Sequence, residues 1–234
     1  MTKVAWLCGS IILATCLTVS ELDAEFIDAS EAWNTELVRI EKLLQGHESR
    51  KALKASRSLS ETIVNTNVLG ASVHGMLAKA TAFRAIALAE RKKERDAVWF
   101  WCVAKQLDPV IADLDFSKYG ERAGALLSDT SEFERDIQQT DHPEPNEVPT
   151  EPRILKKVSA DYPDAKAVLG VGLTVVVEAT IGTDGRLRNP RIVEDKGHPT
   201  MAFTVLEALK DWRFSPSKLN GKAVEVSYVL RARF

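Results

Sequence analysis

Ala202, Val205, Leu206, Leu209 and Trp212 recur at intervals of three and four, which places them on one face of a helix. Glu207, Lys210 and Asp211 fall on the other side, and Phe203 lies toward them, where partial burial beside the preceding loop is expected, with contact to the helical domain or a partner as the alternative. The run Trp212-Arg213-Phe214-Ser215-Pro216 ends the helix, because proline lacks a donor and the residue before it avoids helical angles. Asn220-Gly221 supplies a turn that tolerates positive φ. Val224, Val226, Tyr228, Leu230, Ala232 and Phe234 then alternate with Glu225, Ser227, Val229, Arg231 and Arg233, a strand with one apolar face. Upstream, Leu173, Val175, Val177, Ala179 and Ile181 alternate with Thr174, Glu178 and Thr180 in a second strand. Thr183-Asp184-Gly185-Arg186 is a hairpin signal of the kind that suits primed turns. Leu187 to Val193 returns as a third strand, with Pro190 marking an edge or a bulge, and Thr200 is placed to N-cap the helix.

Before Gln138 the period changes from two to 3.6. Trp33, Leu37, Ile40, Leu43 and Leu44 mark a helix ended by Gly46. Ala52, Ala55, Leu59 and Ile63 mark a second, ending near Gly70. Met76, Ala80, Phe83, Ala85 and Leu88 mark a third, and Ala97, Trp101, Ala104 and Leu107 a fourth, closed by Asp108-Pro109. Tyr119, Ala123 and Leu126 suggest a fifth. Ala85 and Leu88 followed by Ala97-x3-Trp101-x2-Ala104-x4-Pro109 resemble one tetratricopeptide repeat, in which small alanines let paired helices approach and an aromatic fills the seam. A plain helical bundle satisfies the same pattern. The repeat resemblance implies a stack of hairpins that binds partners on a concave face.

Between these halves, Pro143, Pro145, Pro149 and Pro152 alternate with Asp141, Glu144, Glu147 and Glu151, a stiff acidic linker. At the other end, Lys3 precedes an uncharged apolar run, Val4 to Val19, short for a spanning helix and suited to an export signal. Cleavage after Ser20 or Ala24, retention as an anchor, and lipidation at Cys16 all remain open for it. The resulting boundaries are 1–24 for a signal peptide or anchor, 25–139 for a helical domain, 140–152 for the linker and 153–234 for a C-terminal domain. The fold class is α+β.

Composition adds mainly exclusions. A net charge of −2 provides no basic footprint for nucleic acid. Cys8 and Cys16 sit in the apolar run, which leaves Cys102 as a small buried hydrophobe. His47, His74, His142 and His198 lack ligand spacing, and no phosphate loop or nucleophile elbow occurs. The sequence therefore carries no candidate catalytic, cofactor or metal residues, and the reading is of a non-enzyme.

Tyr162-Pro163, Gly170-x-Gly172, the Thr183-Asp184-Gly185 turn, Leu206-x2-Leu209-x2-Trp212-Arg213-Phe214-x-Pro216 and Asn220-Gly221-Lys222 before a terminal strand together resemble the C-terminal domain of the TonB family. The resemblance implies a three-stranded antiparallel sheet with a helix packed on one face. Tyr162, Pro163, Leu206, Leu209, Trp212 and Phe214 would belong to its core, with Trp101 in the core of the helical domain. It also implies a periplasmic domain that engages a protein partner, an outer-membrane transporter or another envelope protein, by adding an extended segment beside the last strand. The docking residues would be Val224, Glu225, Val226, Ser227, Tyr228, Val229, Leu230, Arg231 and Arg233. The proline-rich spacer is short, Val4 to Val19 holds no histidine, and a helical domain is interposed, all of which favour an adaptor over an energy transducer. Two alternatives stay open: an energiser anchored in the membrane through residues 4–19, and a scaffold that homodimerises through its edge strands.

Overall fold

The computed structural model describes residues 19–66, 71–128, 148–160, 174–195 and 199–233. The helical half comprises α1 (Val19–Gln45), α2 (Ser49–Val64), α3 (Ala71–Glu90), α4 (Glu94–Leu107) and α5 (Glu121–Leu127). From Leu77 to Ala89, α3 is buried on nearly every side, and α1, α2, α4 and α5 all pack on it. An all-round apolar helix has no face to offer water, so it becomes the centre of the bundle. Ala78, Ala82, Ala85 and Ala89 keep it slim enough for close neighbours. The α1/α2 and α3/α4 pairs are antiparallel hairpins with tight turns at residues 46–48 and 91–93.

Some ends differ from the sequence pattern. Helix α2 stops at Val64 rather than near Gly70, because the amide and hydroxyl of Thr66 both donate to the Ile63 carbonyl, at 3.3 and 2.7 Å, and close the last turn. In α5 it is Leu127, not Leu126, that is fully buried. Tyr119 precedes α5 with its ring edge-on to Phe83 at 6.0 Å, and its hydroxyl donates to Glu41 at 2.8 Å. Trp101 is buried against Phe116, with ring centroids 5.0 Å apart.

The C-terminal half contains β1 (Ile154–Lys156), β2 (Thr174–Ile181), β3 (Leu187–Glu194), α6 (Pro199–Leu209), β4 (Arg213–Phe214), β5 (Ser217–Leu219), β6 (Lys222–Val224) and β7 (Val226–Arg233). Its main sheet has the order β3-β2-β7, antiparallel throughout, with α6 on one face. Pro190 is accommodated in both ways open to it. Strand β3 is at an edge, and its register slips beside Asn189, whose φ is 48°. Two further pairs, β1-β4 and β5-β6, were not legible as strands. The β1 chain is tied down by reciprocal bonds of 2.8 Å between Arg153 and Ser215, and Thr150 and Lys218 repeat the arrangement at 2.9 Å.

Several expectations are corrected here. Helix α6 begins with Pro199 at its first position, so Thr200 lies inside it rather than capping it. It ends at Leu209, and Trp212 sits in the following turn, where its indole donates to the Val158 carbonyl at 2.8 Å. The β2-β3 turn is not primed. Only Gly185 has positive φ, 71°, and the Gly185 amide donates to Gly182, giving a type I turn closed by a left-handed glycine. Asn220 and Gly221, at φ 51° and 81°, do form a primed turn, between β5 and β6.

The largest correction concerns α6. Glu207 and Lys210 are only partly exposed, because the helical half covers much of that side. The Arg84 guanidinium, 8% exposed, lies 3.9 Å from the Phe100 ring centroid and donates to Glu207 at 2.7 Å. Lys210 approaches Asp96 at 4.0 Å. Phe203 is 1% exposed rather than partly buried, at a cleft shared with Val64 and Arg84, so of its two expected surroundings it takes the helical domain. The two halves contribute to one continuous apolar core.

Candidate partner-binding edge

An antiparallel strand directs its backbone N–H and C=O groups alternately to its two sides, so a terminal strand leaves half of them unpaired. The main sheet has two such edges, and the fold treats them differently. Along β3, the Gln106 side chain of α4 donates from Nε2 to the Pro190 carbonyl and accepts at Oε1 from the Ile192 amide, both at 2.6 Å. One side-chain amide thus imitates a strand neighbour and occupies that edge. Strand β7 pairs with β2 along its whole length, Val226 opposite Ile181 through Arg233 opposite Thr174. Among the described residues no strand pairs with its other side.

The asymmetry yields a prediction. Gln106→Ala removes the partners of both β3 groups and is expected to cost about 1–2 kcal/mol of stability. It also bares a second sheet edge, so sedimentation should show stronger concentration-dependent association than for the wild-type chain.

The sequence-predicted docking residues divide. Val226, Ser227, Tyr228, Val229, Leu230, Arg231 and Arg233 lie on β7. Val224 and Glu225 do not. Val224 pairs with Ser217 in the β5-β6 hairpin, and Glu225 sits at the junction, bonded to Arg188 at 3.2 Å. The Asn220-Gly221 turn folds the strand start back on itself, which uniform alternation could not reveal. Within β7, Val226, Tyr228, Leu230 and Ala232 are half-buried against the core, while Ser227, Val229, Arg231 and Arg233 are exposed. The Tyr228 ring meets Phe214 edge-on at 4.9 Å, and burial raises its phenol above the ordinary value. Leu206, Leu209, Trp212, Phe214 and Trp101 are all buried. Tyr162, Pro163, Gly170 and Gly172 lie outside the described residues.

On the outer sheet face a polar ladder crosses the strands. Arg191 of β3 bonds Glu178 of β2, and the Ser227 hydroxyl of β7 donates to the same carboxylate at 2.9 Å. Arg191 first and Ser227 second hold the Glu178 carboxyl below the usual carboxylate range. The ladder fixes the register of β7 on β2 from the solvent side. On the inner side, a groove of about 280 Å³ runs between the end of β7, α6 and the chain after β1. Val205, Ala208, Leu209, Trp212, Leu230 and Ala232 give it an apolar floor, and Lys157, Arg231 and Arg233 stand at its rim.

An exposed-edged three-stranded sheet, one packed helix and a buried Trp212-x-Phe214 pair are therefore in place. Residues 158–234 match the family model of the Gram-negative bacterial TonB protein C-terminal. The match covers the C-terminal third of the chain, and it includes β2, β3, α6 and β7. No curated protein matches the chain. In this TonB-like domain the edge strand is contributed by residues that the sequence singled out. Gln106 and Arg84, which block one edge and lock the helix, lie outside the matched region. Their partners are 84, 86 and 123 positions away, and nothing local marks them.

Proposed function

We propose that this protein is an exported envelope adaptor whose TonB-like domain captures an extended segment of a protein partner by strand addition at β7. The observation that carries the reading is the contrast between the two sheet edges, one occupied by Gln106 and one left unpaired by every described strand. Main-chain hydrogen bonds along β7 supply affinity, and alternate side chains supply selectivity. Export rests on the uncharged run Val4 to Val19, which lies almost wholly outside the described residues; among those described, no helix is long and apolar enough to cross a membrane. The helical half spends one side on its own C-terminal domain, through Arg84, Asp96 and Gln106. Its hairpins hold the TonB-like domain in one orientation and keep their remaining surface for a second contact, the role expected of a repeat-like stack.

The test is amide hydrogen exchange on the full chain with peptides selected from a random heptapeptide display library. Added strands will protect alternate amides within Val226–Arg233, those that β2 leaves unpaired. Selected binders that protect amides elsewhere, and none on β7, would remove the strand-addition reading.

A further inference from the structure

Resting on strand addition at β7, the side chains around its C-terminal end specify the partner's chemistry. Arg231 and Arg233 are exposed on the outer face, opposite Val176 and Thr174 of β2, and the half-buried Ala232 between them points to the inner face. Lys157 stands across the inner groove, its ammonium 5.5 Å from the Trp212 ring centroid. Three cations thus stand at the margins of a groove whose described lining contains no carboxylate, Lys157 on its inner side and the two arginines where β7 turns to the outer face. Elsewhere on the sheet the arginines are matched: Arg188 faces Asp184 and Glu225, and Arg191 faces Glu178. The chain as a whole carries a net charge of −2, so an unmatched cationic rim is a local feature and not a consequence of composition.

Strand geometry turns that rim into a pattern. A segment added beside β7 places its residues j and j+2 on the outer face, beside Arg231 and Arg233, at cross-strand distance. Residue j+1 then points inward, into the groove floored by Val205, Ala208, Leu209 and Trp212. We propose that β7 selects an extended protein segment with an acidic–apolar–acidic triplet, two carboxylates pairing with Arg231 and Arg233 and the apolar side chain between them filling the groove. Lys157 strengthens the field at the groove mouth without a fixed partner. The groove volume of about 280 Å³ suits one aliphatic or aromatic side chain rather than a small-molecule ligand.

Fluorescence anisotropy with the full chain tests this. Two labelled heptapeptides share a threonine- and valine-rich frame, one with Asp-Leu-Asp at its centre and the other with Lys-Leu-Lys. The Asp-Leu-Asp peptide should bind about tenfold more tightly at low salt, and the preference should shrink at high salt. A double variant, Arg231→Glu with Arg233→Glu, should reverse the preference without altering the circular dichroism spectrum, because both side chains are exposed. Replacement of the central leucine by serine should weaken binding by a further factor of about ten or more, the worth of one buried aliphatic side chain lost from a groove. Equal binding of both peptides, with exchange protection on β7, would overturn the charge pattern and leave strand addition standing. Binding of neither peptide, with no protection on β7, would overturn both.

Discussion

Phe203→Ala will lower the stability of the whole chain by about 3–5 kcal/mol, the usual cost of truncating a buried phenylalanine. The side chain is 1% exposed, although its heptad position faces Glu207 and the start of the α6 polar side. Its burial comes from α2, α3 and α4, which cover that side of α6, and from the Arg84–Glu207 pair beside it. The two halves share one apolar core, so denaturant unfolding monitored by tryptophan fluorescence and by far-ultraviolet circular dichroism should give a single coincident transition. The variant should shift that one transition to lower denaturant. If the traces separate, with α-helical signal persisting after the C-terminal half has melted, the halves are independent and the contact through α6 is only a loose docking. A Glu207→Ala variant sharpens the comparison. It strands the Arg84 charge, at 8% side-chain exposure, against Phe100, and should cost about 2–3 kcal/mol, less than a fully buried pair because Glu207 keeps 27% exposure.

Gly185→Ala should cost about 3 kcal/mol by a different route. The residue sits at φ 71°, where a side chain alone costs on the order of 1 kcal/mol or more, and an added Cβ would fall inside the Phe214 carbonyl oxygen. That oxygen belongs to β4, and the Phe214 amide in turn donates to the Gly185 carbonyl at 2.8 Å. Relief therefore requires the β2-β3 turn to move away from β4, opening the seam over Phe214 and Tyr228. Gly221→Ala is the internal control. It has φ 81°, and a Cβ added there would meet no atom within 4 Å, so its cost should be the conformational part alone, about 1 kcal/mol. Thermal melts should show a drop for Gly185→Ala of roughly 6–12 °C, about three times that for Gly221→Ala. Equal drops would mean that the backbone approach at Phe214 relaxes freely.

These two results bear on the proposed role at different points. The Phe203 contact fixes how the TonB-like domain is held, and the Gly185 approach fixes the platform on which β7 lies. A partner that reads β7 needs both, since strand addition gains from an edge that is already straight and immobile.

What the sequence determined by itself was local or periodic. Alternation from Thr174 to Ile181 and from Val226 to Arg233 has only one arrangement that buries Val175, Val177, Tyr228 and Leu230 together, and the sheet follows it. Pro190 announced an edge strand or a bulge because a missing donor cannot sit between two neighbours, and Asn220-Gly221 announced a turn because both residues tolerate positive φ. The helices of the N-terminal half declared themselves through their period, and the Trp212-to-Phe214 run through its resemblance. Tertiary structure alone decided which faces stay wet. Glu207 and Lys210 look solvated on a helical wheel, yet Arg84 and Asp96 arrive from more than a hundred residues away to meet them. The two sheet edges look equivalent along the chain, and only the fold sends Gln106 to one of them. Charge pairing and edge blocking depend on groups brought together by packing, which no window of sequence contains.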